Sequence, residues 1–419
     1  MSPEHLRGGP SSRGVFVPWC LSGAKFGMNV IGLMSGTSAD GVDAALVDIQ
    51  GDAARPALRL LAFETFPYPQ GLRSRILTAA SGGTTQEVCH LNAYLGELFA
   101  EAAMGIARRA GLPLSAVDLI GSHGQTIHHL PGARREGAHD VRSTLQIAAP
   151  AVIAERTGVT TVADFRPRDM AAGGEGAPLT PLVHYLLFAH PTRGRVVLNL
   201  GGIANVTILP IGADVAAVTG FDTGPANVLL DEFVRATDLA DCGYDEGGRL
   251  AAVGRPVAEL LEGLLDHPFI RRPPPKSTGR ETFNPAFVSD FRQRLATTGH
   301  SELDGLATLA ALTVQAVAIN LRTFVLPHTA IQEIVVMGGG AENATLMRGL
   351  AEALPECAVV PSESLGVPGR AVEAMAFAAL AYLTATGRPG NLPRVTGARD
   401  FRVLGCIVPR ATYRGFAHD

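Results

Sequence analysis

The chain has 419 residues, of which 47% are hydrophobic and 18% are charged, and this length allows two globular domains with separate cores. The formal net charge is -4 at pH 7 and no stripe of Lys or Arg is present, which excludes the electrostatic footprint of a nucleic-acid-binding protein. Five scattered cysteines without a CxxC spacing favour neither a disulfide framework nor a zinc site. No apolar run approaches the roughly 18 residues of a membrane helix. We therefore expect a cytoplasmic protein that acts on a small molecule, without nucleic acid or membrane partners.

The N-terminal part of the chain gives little helix or strand signal. Residues 1–27 carry Gly, Ser, Pro and Arg around one short apolar piece, and we interpret them as a disordered tail. Met28 stands directly before the first strand-like run, so a start codon assigned too far upstream is the alternative interpretation. Strands are then predicted at 30–34, 42–49 and 58–66, and a tight turn rich in Gly, Ser, Thr and Asp joins the first two.

Helical periodicity follows the third strand and is strongest over 87–109. A strand at 117–120 and a strand-helix-strand unit over 144–163 complete the first half of the chain. The second half repeats this order of elements, beginning again with a hairpin whose turn is rich in glycine. Its predicted strands are 195–200, 206–209 and 216–221.

This repeat predicts two α/β domains that face one another across a cleft. Glycines and the segment 164–167 mark the expected hinge between them. The first predicted domain comprises residues 28–168 together with a C-terminal segment of about 389–412. The second comprises residues 169–388.

Glycine-rich turns follow the predicted strands at 30–34 and 195–200 and a further strand predicted at 333–337. The turn at 36–43 offers backbone N–H groups to phosphate oxygens, and its carboxylates Asp40 and Asp43 can hold Mg²⁺ directly or through water. A plain hairpin explains this turn alone about equally well, but further glycine turns at 201–205 and 338–340 weaken that explanation. We assign ATP binding to these turns. The assigned residues are Gly36, Thr37, Ser38, Ala39, Asp40, Gly41, Val42, Asp43, Gly201, Gly202, Asn205, Gly338, Gly339 and Gly340.

Two carboxylates stand at predicted element ends. Asp222 follows a strand and precedes a helix predicted from Pro225, so it can point into the cleft or simply cap that helix. The residues alone slightly favour the cap. Glu373 lies in the first turn of an apolar helix predicted over 372–383, where the helix dipole alone favours a carboxylate. Each carboxylate therefore keeps a structural explanation beside the functional one.

A further group of polar residues suits a sugar that carries a carboxylate. Arg166 offers a planar fork that matches a carboxylate with two hydrogen bonds, and Asp164 lies beside it. His123 and Gln125 lie in a glycine motif and are assigned to the same ligand. An interdomain salt-bridge cluster is the structural alternative. The segment 276–280 resembles part of a P-loop but lacks the preceding glycine and does not follow a strand, so a Walker A site is rejected.

Taken together, these motifs resemble the anhydro-N-acetylmuramic acid kinase family. The resemblance runs in order from about residue 30 to residue 404 and is specific because separate segments match. Residues 131–142 are longer and more charged than the family requires. The matching segments are 31–43, 121–126, 164–166, 173–178, 199–202, 220–225 and 275–280.

The resemblance implies two facing actin/hexokinase-like (ribonuclease H-like) domains with an interdomain cleft. It implies an ATP- and Mg²⁺-dependent kinase of peptidoglycan recycling. Water would open the bridge of 1,6-anhydro-N-acetylmuramic acid, and the released O6 would take the γ-phosphoryl group to give N-acetylmuramic acid 6-phosphate. The family further implies that Asp222 activates the water and that Glu373 assists at the sugar, as carboxylates do in inverting glycosidases.

Two other functions stay open. A related phosphotransferase acting on another sugar would keep the phosphate turns but would accept N-acetylmuramic acid without the anhydro bridge. A nucleotide sensor or chaperone-like ATPase would bind ATP without any sugar, and it would have no use for Arg166 and His123. The oligomeric state is undecided, with a homodimer as one option.

Overall fold

The computed structural model describes residues 27–51, 55–237, 239–279 and 281–410. The predicted tail lies outside these residues except for Gly27, which begins the first strand. The strands predicted at 30–34, 42–49 and 58–66 and the helix predicted over 87–109 are present, with ends that differ by at most about three residues.

The first sheet contains seven of the described strands. They are β1 (Gly27–Ser35), β2 (Gly41–Gln50), β3 (Ala57–Pro67), β4 (Leu119–Glu136), β5 (His139–Ile147), β6 (Thr161–Ala163) and β12 (Cys406–Val408). Their order is β12-β6-β4-β1-β2-β3, and β5 pairs with β4 off this path. β1, β2 and β3 are antiparallel neighbours, whereas β1, β4 and β6 run parallel. The charged segment 131–142 lies in the hairpin that β4 and β5 form.

The second sheet has five described strands in the order β11-β10-β7-β8-β9. They are β7 (Arg195–Leu200), β8 (Ile203–Leu209), β9 (Thr219–Pro225), β10 (Glu333–Met337) and β11 (Ala358–Pro361). β7, β8 and β9 are antiparallel neighbours, whereas β10 runs parallel to both β7 and β11. The order and directions repeat those of β6-β4-β1-β2-β3 in the first sheet. The predicted fold class of two related α/β units is confirmed.

Helices cover the sheets. They are α1 (Leu72–Ala80), α2 (Thr85–Arg109), α3 (Pro150–Thr157), α4 (Phe165–Ala171), α5 (Thr180–Phe188), α6 (Asn227–Thr237), α7 (Ala258–Leu265), α8 (Pro268–Arg271), α9 (Pro285–Thr298), α10 (Glu302–Phe324), α11 (Ala344–Ala353), α12 (Val372–Ala385) and α13 (Pro393–Thr396). Local sequence explains several starts: α10 begins with a capping box in which Ser301 and Asp304 bond reciprocally. In the segment 164–167, which was expected to be a hinge, residue 164 precedes α4 and residues 165–167 form its first turn.

One described helix, α10, is long and apolar enough to cross a membrane by length and composition. Buried residues make up 67% of its most apolar window, and they pack in the core beside the second sheet. The helix also contacts α6, α7, α9 and α11. Its hydrophobicity is therefore explained by helix and sheet packing inside the protein.

Helix α12 lies directly on the first sheet. Gly32 of β1 permits this, because a Cβ there would overlap the carbonyl oxygen of Ala374 and would lie 2.7 Å from the Ala378 nitrogen. Gly121 of β4 has the same role, since its Cβ would overlap the carbonyl oxygen of Phe377. The close approach fixes the start of α12 beside the turn that follows β1.

The contacts of α12 bear on the domain limits. The helix lies within the range 169–388, yet its sheet contacts are with β1, β2 and β4. It also contacts α5, and one apolar cluster joins both helices to residues of the two sheets. We propose that α12 belongs with the first domain.

A buried histidine makes the stability of this region depend on pH. Burial of His184 in α5 lowers its pKa from 6.5 to about 3, while its Nδ1 lies 2.8 Å from Thr207 Oγ1. The unfolded chain binds a proton near pH 6.5 and the folded chain does not, so this stabilisation is lost as the pH falls from 6.5 towards 3. We expect the free energy of unfolding to fall more steeply with acidification in the parent than in His184→Asn, by up to about 1.4 kcal/mol per pH unit.

Urea unfolding of both proteins at several pH values between 6.5 and 4 measures this difference. A His139→Asn variant is the control, because His139 is exposed in the hairpin between β4 and β5. Parallel pH slopes for the parent and His184→Asn would contradict a buried neutral imidazole.

Candidate active site

The turn between β1 and β2 is held in one conformation by side chains from other elements. Ala39 has a φ of 50° and is buried, a conformation that costs energy for a residue with a Cβ. Arg73 Nε donates to the Ser38 carbonyl at 2.8 Å, and the Tyr68 N–H donates to the Asp40 carbonyl at 2.9 Å. The turn is therefore more constrained than a simple hairpin connection requires.

Gln125 completes this constraint from β4. Its Oε1 accepts from Ser35 Oγ at 2.7 Å, and its Nε2 donates to the Gly36 carbonyl at 3.1 Å. The side chain is 2% exposed. We assigned Gln125 to the sugar, and the structure shows its amide bonded to the turn that we assigned to ATP.

Two carboxylates emerge from this turn. Asp40 Oδ1 accepts from Ser38 Oγ at 2.8 Å, and Asp43 Oδ1 accepts from Thr65 Oγ1 at 2.5 Å. Burial raises the pKa of Asp43, and the negative charge of Asp40 raises it further. A cation placed between them would offset both the burial of the Asp43 charge and its repulsion by Asp40.

This pair fits Mg²⁺ in its donor chemistry. Mg²⁺ in phosphate-transfer sites takes one or two carboxylates, and waters and substrate phosphates complete its ligands. Within the described ranges there is no group of three or more His, Cys, Asp or Glu residues arranged to hold a metal. The residues present therefore suit an ion that arrives with a nucleotide rather than a closed protein cage.

Tyr68 lies near the two carboxylates, and sequence reasoning missed it. Its hydroxyl oxygen is buried without a hydrogen-bond partner among the described residues. Burial raises the pKa of the Tyr68 phenol, the neighbouring Ser35 side chain lowers it, and the charges of Asp40 and Asp43 raise it further. The phenol stays protonated and can donate to a ligand beside the two carboxylates. No local motif marks this tyrosine.

His123 and Arg166 are hydrogen-bonded to one another, and Glu373 lies close enough to Arg166 for their charges to interact. His123 Nδ1 lies 3.0 Å from the Gly124 carbonyl, and Arg166 Nε donates to His123 Nε2 at 3.0 Å. Burial lowers the pKa of His123 to about 3, with the Arg166 charge adding to it, so the imidazole is neutral and can accept this bond. Burial also lowers the pKa of Arg166 to about 10, while Glu373 opposes this change.

Glu373 connects this group to the turn carboxylates. Burial raises the pKa of Glu373, Asp43 raises it further, and Arg166 lowers it. The N-terminal end of α12 therefore faces the turn, and the helix dipole is not the full explanation of this carboxylate. Arg370 precedes α12 and lowers the pKa of Asp43, a contribution that sequence reasoning also missed. The Gly-Arg pair one residue before the helix is the signal that could have indicated it.

Asp164 stands at the start of α4, the helix whose first turn carries Arg166. Its φ is 55°, and its side chain does not cap the helix. Burial raises the pKa of its carboxyl group. Strained non-glycine residues of this kind often occur at ligand sites, and this one is consistent with the position assigned beside the sugar.

The other glycine turns meet at one edge of the second sheet. β7 and β10 are parallel with Asn199 opposite Met337, so the turns after them lie side by side. A Cβ at Gly338 would lie 2.9 Å from the Leu200 carbonyl oxygen. The carbonyls of Gly201 and Gly202 accept from the first N–H groups of α6. The predicted residues brought together here are Gly201, Gly202, Gly338, Gly339 and Gly340.

Asp222 lies inside β9, opposite Asn205 of β8. The interpretation of Asp222 as a helix cap is wrong, because α6 begins only at Asn227. Its Oδ2 accepts from the Thr278 N–H at 2.9 Å and from Ser277 Oγ at 3.1 Å. Burial raises the pKa of Asp222, and these two hydrogen bonds lower it.

The charged groups that shift the pKa of Asp222 differ from those that shift the pKa of Glu373. Among the residues that the structure describes, Glu281 raises the pKa of Asp222 and Lys276 lowers it. Glu373 instead responds to Asp43 and Arg166. The predicted site residues thus fall into two groups, one on each sheet, and each group has a carboxylate whose pKa is raised by burial.

Known proteins with similar sequences agree on one family. The family model described as anhydro-N-acetylmuramic acid kinase matches residues 28–410. The anhydro-N-acetylmuramic acid kinase of Caldanaerobacter subterraneus subsp. tengcongensis is 44% identical over 380 residues, which cover 90% of this chain and 96% of that protein. The one from Bacillus thuringiensis subsp. konkukian is 41% identical over 384 residues, which cover 91% and 99%.

Solved structures with a related shape are more distant. A ROK family glucokinase from Streptomyces griseus in complex with glucose and AMPPNP is 13% identical, with a TM-score of 0.35. The match covers 84% of this chain and 99% of that one. At this level of similarity no residue role can be transferred.

Proposed function

The chain belongs to the anhydro-N-acetylmuramic acid kinase family, and from this premise we propose that it opens 1,6-anhydro-N-acetylmuramic acid with water and phosphorylates the released O6. ATP is the phosphoryl donor, and the product is N-acetylmuramic acid 6-phosphate for peptidoglycan recycling. The observation that carries the proposal is Asp222, a largely buried carboxylate on a strand rather than at a helix start. The cytoplasm, where ATP is available, is the proposed location.

Asp222 acts as the base in this proposal. Its carboxylate takes a proton from water as the water oxygen bonds to the anomeric carbon and the bond from that carbon to O6 breaks. O6 then bonds to the γ-phosphorus, and ADP leaves. The raised pKa of Asp222 makes it a better proton acceptor than an exposed aspartate, and its two hydrogen-bond donors fix its orientation.

The first-sheet group holds the other end of the sugar and the phosphates. Arg166 uses its Nε for His123, which leaves its terminal N–H groups for the carboxylate of the sugar. Glu373 lies close enough to Arg166 to be affected by its charge and can assist at the anomeric centre. The glycine turns of both sheets supply backbone N–H groups to ATP.

Asp40 and Asp43 would hold Mg²⁺, directly or through water. The ion would neutralise negative charge on the triphosphate, because neither turn carries enough positive charge to do so by itself. We expect activity to be lost completely on chelation of divalent cations and to return when Mg²⁺ is added in excess. Turnover that survives complete chelation would contradict this assignment.

Transfer of phosphate from labelled ATP to 1,6-anhydro-N-acetylmuramic acid, with the product identified by mass, tests the function. The expected product is heavier than the substrate by one water and one phosphoryl group. Equal turnover of N-acetylmuramic acid would favour the phosphotransferase for another sugar. ATP binding without any sugar turnover would favour the nucleotide sensor.

A further inference from the structure

Lys276 is an unusual residue in this chain. Lysine occurs at only two positions, 25 and 276, among 35 Lys and Arg residues, and Lys25 lies outside the described ranges. The Lys276 side chain is 5% exposed, and its Nζ donates to the carbonyls of Phe269 and Ile270, both at 3.0 Å. Arginine serves at nearly all other basic positions, so this site favours properties that arginine lacks.

Three aromatic rings surround the ammonium group. Nζ lies 4.9 Å from the ring centre of Phe269, 5.5 Å from that of Phe324 and 6.0 Å from that of Phe221. A compact ammonium with three donors can contact these rings and both carbonyls, whereas a planar guanidinium is larger and directs its donors in one plane. These three rings and two carbonyls, called the cage below, therefore explain why lysine rather than arginine occupies this position.

The anchored residue begins the loop that holds Asp222. The Lys276 carbonyl accepts from the Asp222 N–H at 3.2 Å. The next two residues, Ser277 and Thr278, donate to the Asp222 carboxylate. Phe221, one of the cage rings, directly precedes Asp222 in β9. Any movement of Lys276 out of its cage is thus transmitted to both sides of Asp222.

We propose that Lys276 is a positioning residue, which anchors the 276–278 loop so that its two donors orient the Asp222 carboxylate towards the water. The inference rests on the proposed function of Asp222 as the base. It assigns to this segment a mechanical role in place of the phosphate-binding role that a Walker A motif would have.

The charges around the anchor are few. Arg272 at the end of α8 and Asp222 in β9 act on Lys276, while α10 contributes the uncharged Phe324 and Asn320. Burial lowers the pKa of Lys276 to about 8, Arg272 adds to this and Asp222 opposes it. The ammonium is therefore mostly charged at neutral pH.

Loss of the anchor has a predictable effect on the base. The loop hydrogen bonds and the Lys276 charge lower the pKa of Asp222, while burial and Glu281 raise it. Without the anchor the lowering contributions weaken and the raising contributions stay, so the pKa of Asp222 rises. A base with a higher pKa is protonated at a higher pH, and the acid side of the activity profile moves upwards.

The test is Lys276→Met, which keeps an unbranched apolar side chain but removes the ammonium. We expect kcat with the anhydro sugar to fall about 10–100-fold, as for a reacting group displaced by up to 1 Å. The acid limb of the kcat profile moves to higher pH. KM for ATP changes less than about twofold, since the Lys276 ammonium contacts phenylalanine rings and the carbonyls of Phe269 and Ile270 rather than the glycine turns. The profile is measured only over the pH range in which circular dichroism shows both proteins folded, so that a shift of the acid limb cannot come from general instability.

Ser277→Ala provides a second measurement on a protein with its cage intact. It removes one donor to Asp222, so the acid limb moves in the same direction by a smaller amount. Ser81→Ala, an exposed serine at the end of α1, is the matched control and leaves the profile unchanged.

An unmoved acid limb in folded Lys276→Met would overturn the inference. If that variant does not fold, an unmoved limb in Ser277→Ala overturns it instead. Failure of the proposed function is distinguishable, because the parent enzyme itself would then show no turnover of the anhydro sugar.

Discussion

The Asp222→Asn variant is expected to lose about 10²–10⁴-fold in kcat, the usual contribution of a positioned base. Asparagine has the size of aspartate and retains an oxygen that can accept from the Thr278 N–H, so the loop contact survives. What disappears is the ability to take a proton from water. Thermal stability and ATP affinity should change little.

Three measurements on the purified variant decide this: kcat with the anhydro sugar, the melting temperature, and the affinity for ATP. Asp214→Asn is the matched control. Asp214 is exposed and caps a short helical turn by accepting from the Val215 N–H at 2.5 Å. Asparagine and aspartate rank together as helix caps, so this change should leave turnover and stability as they are. Near-normal turnover in Asp222→Asn would refute the mechanism.

The Glu373→Gln variant tests whether Glu373 has a role at the sugar that is separate from the role of Asp222 as the base. We expect a smaller loss of kcat together with weaker binding of the sugar, because Glu373 lies among Arg166, Asp43 and the start of α12. An unchanged enzyme would return Glu373 to a purely structural role at the helix start.

Most strands and a few helices, such as α2 and α12, could be predicted because their signals are local. Apolar runs that end in glycine marked the strands, and the repeated order of elements predicted two related sheets. The end of β9 was harder to predict, since a run that contains Gly224 and Pro225 is typical of a turn. In the structure this run pairs with β8, with Pro225 opposite Ile203, and tertiary pairing overrides the local signal.

The site was predictable only where its residues lie in compact motifs. Asp40, Asp43 and the glycine turns could be proposed for this reason. Tyr68 and Arg370 contribute through tertiary contacts that no spacing in the sequence reveals. The partners of Gln125 and the anchoring of Lys276 likewise depend on strand pairing and on elements far apart in the chain. The residue types indicated which chemistry each side chain can perform, whereas the contacts between these side chains could be known only from the folded structure.

The contact between α12 and the first sheet gives the prediction with the largest effect on stability. Gly32→Ala adds a methyl group that overlaps the Ala374 carbonyl and lies 2.7 Å from the Ala378 nitrogen. Both are helix backbone atoms, which cannot rotate away as a side chain can. We expect a loss of about 3 kcal/mol or more in the free energy of unfolding, at the upper end for overpacked cores.

The same variant tests how the fold positions the site. Any shift of α12 away from β1 also moves Glu373, and a displacement of about 1 Å can reduce kcat about 100-fold. Urea unfolding and kcat measured well below the melting temperature record the two effects separately. Gly132→Ala is the control, because a Cβ there meets no atom within 4 Å, and a surface change of this kind stays within about 0.5 kcal/mol. If Gly32→Ala matched the control in both measurements, α12 would not lie on β1 as closely as the structure places it, and the coupling between this helix and the turn carboxylates would need another explanation.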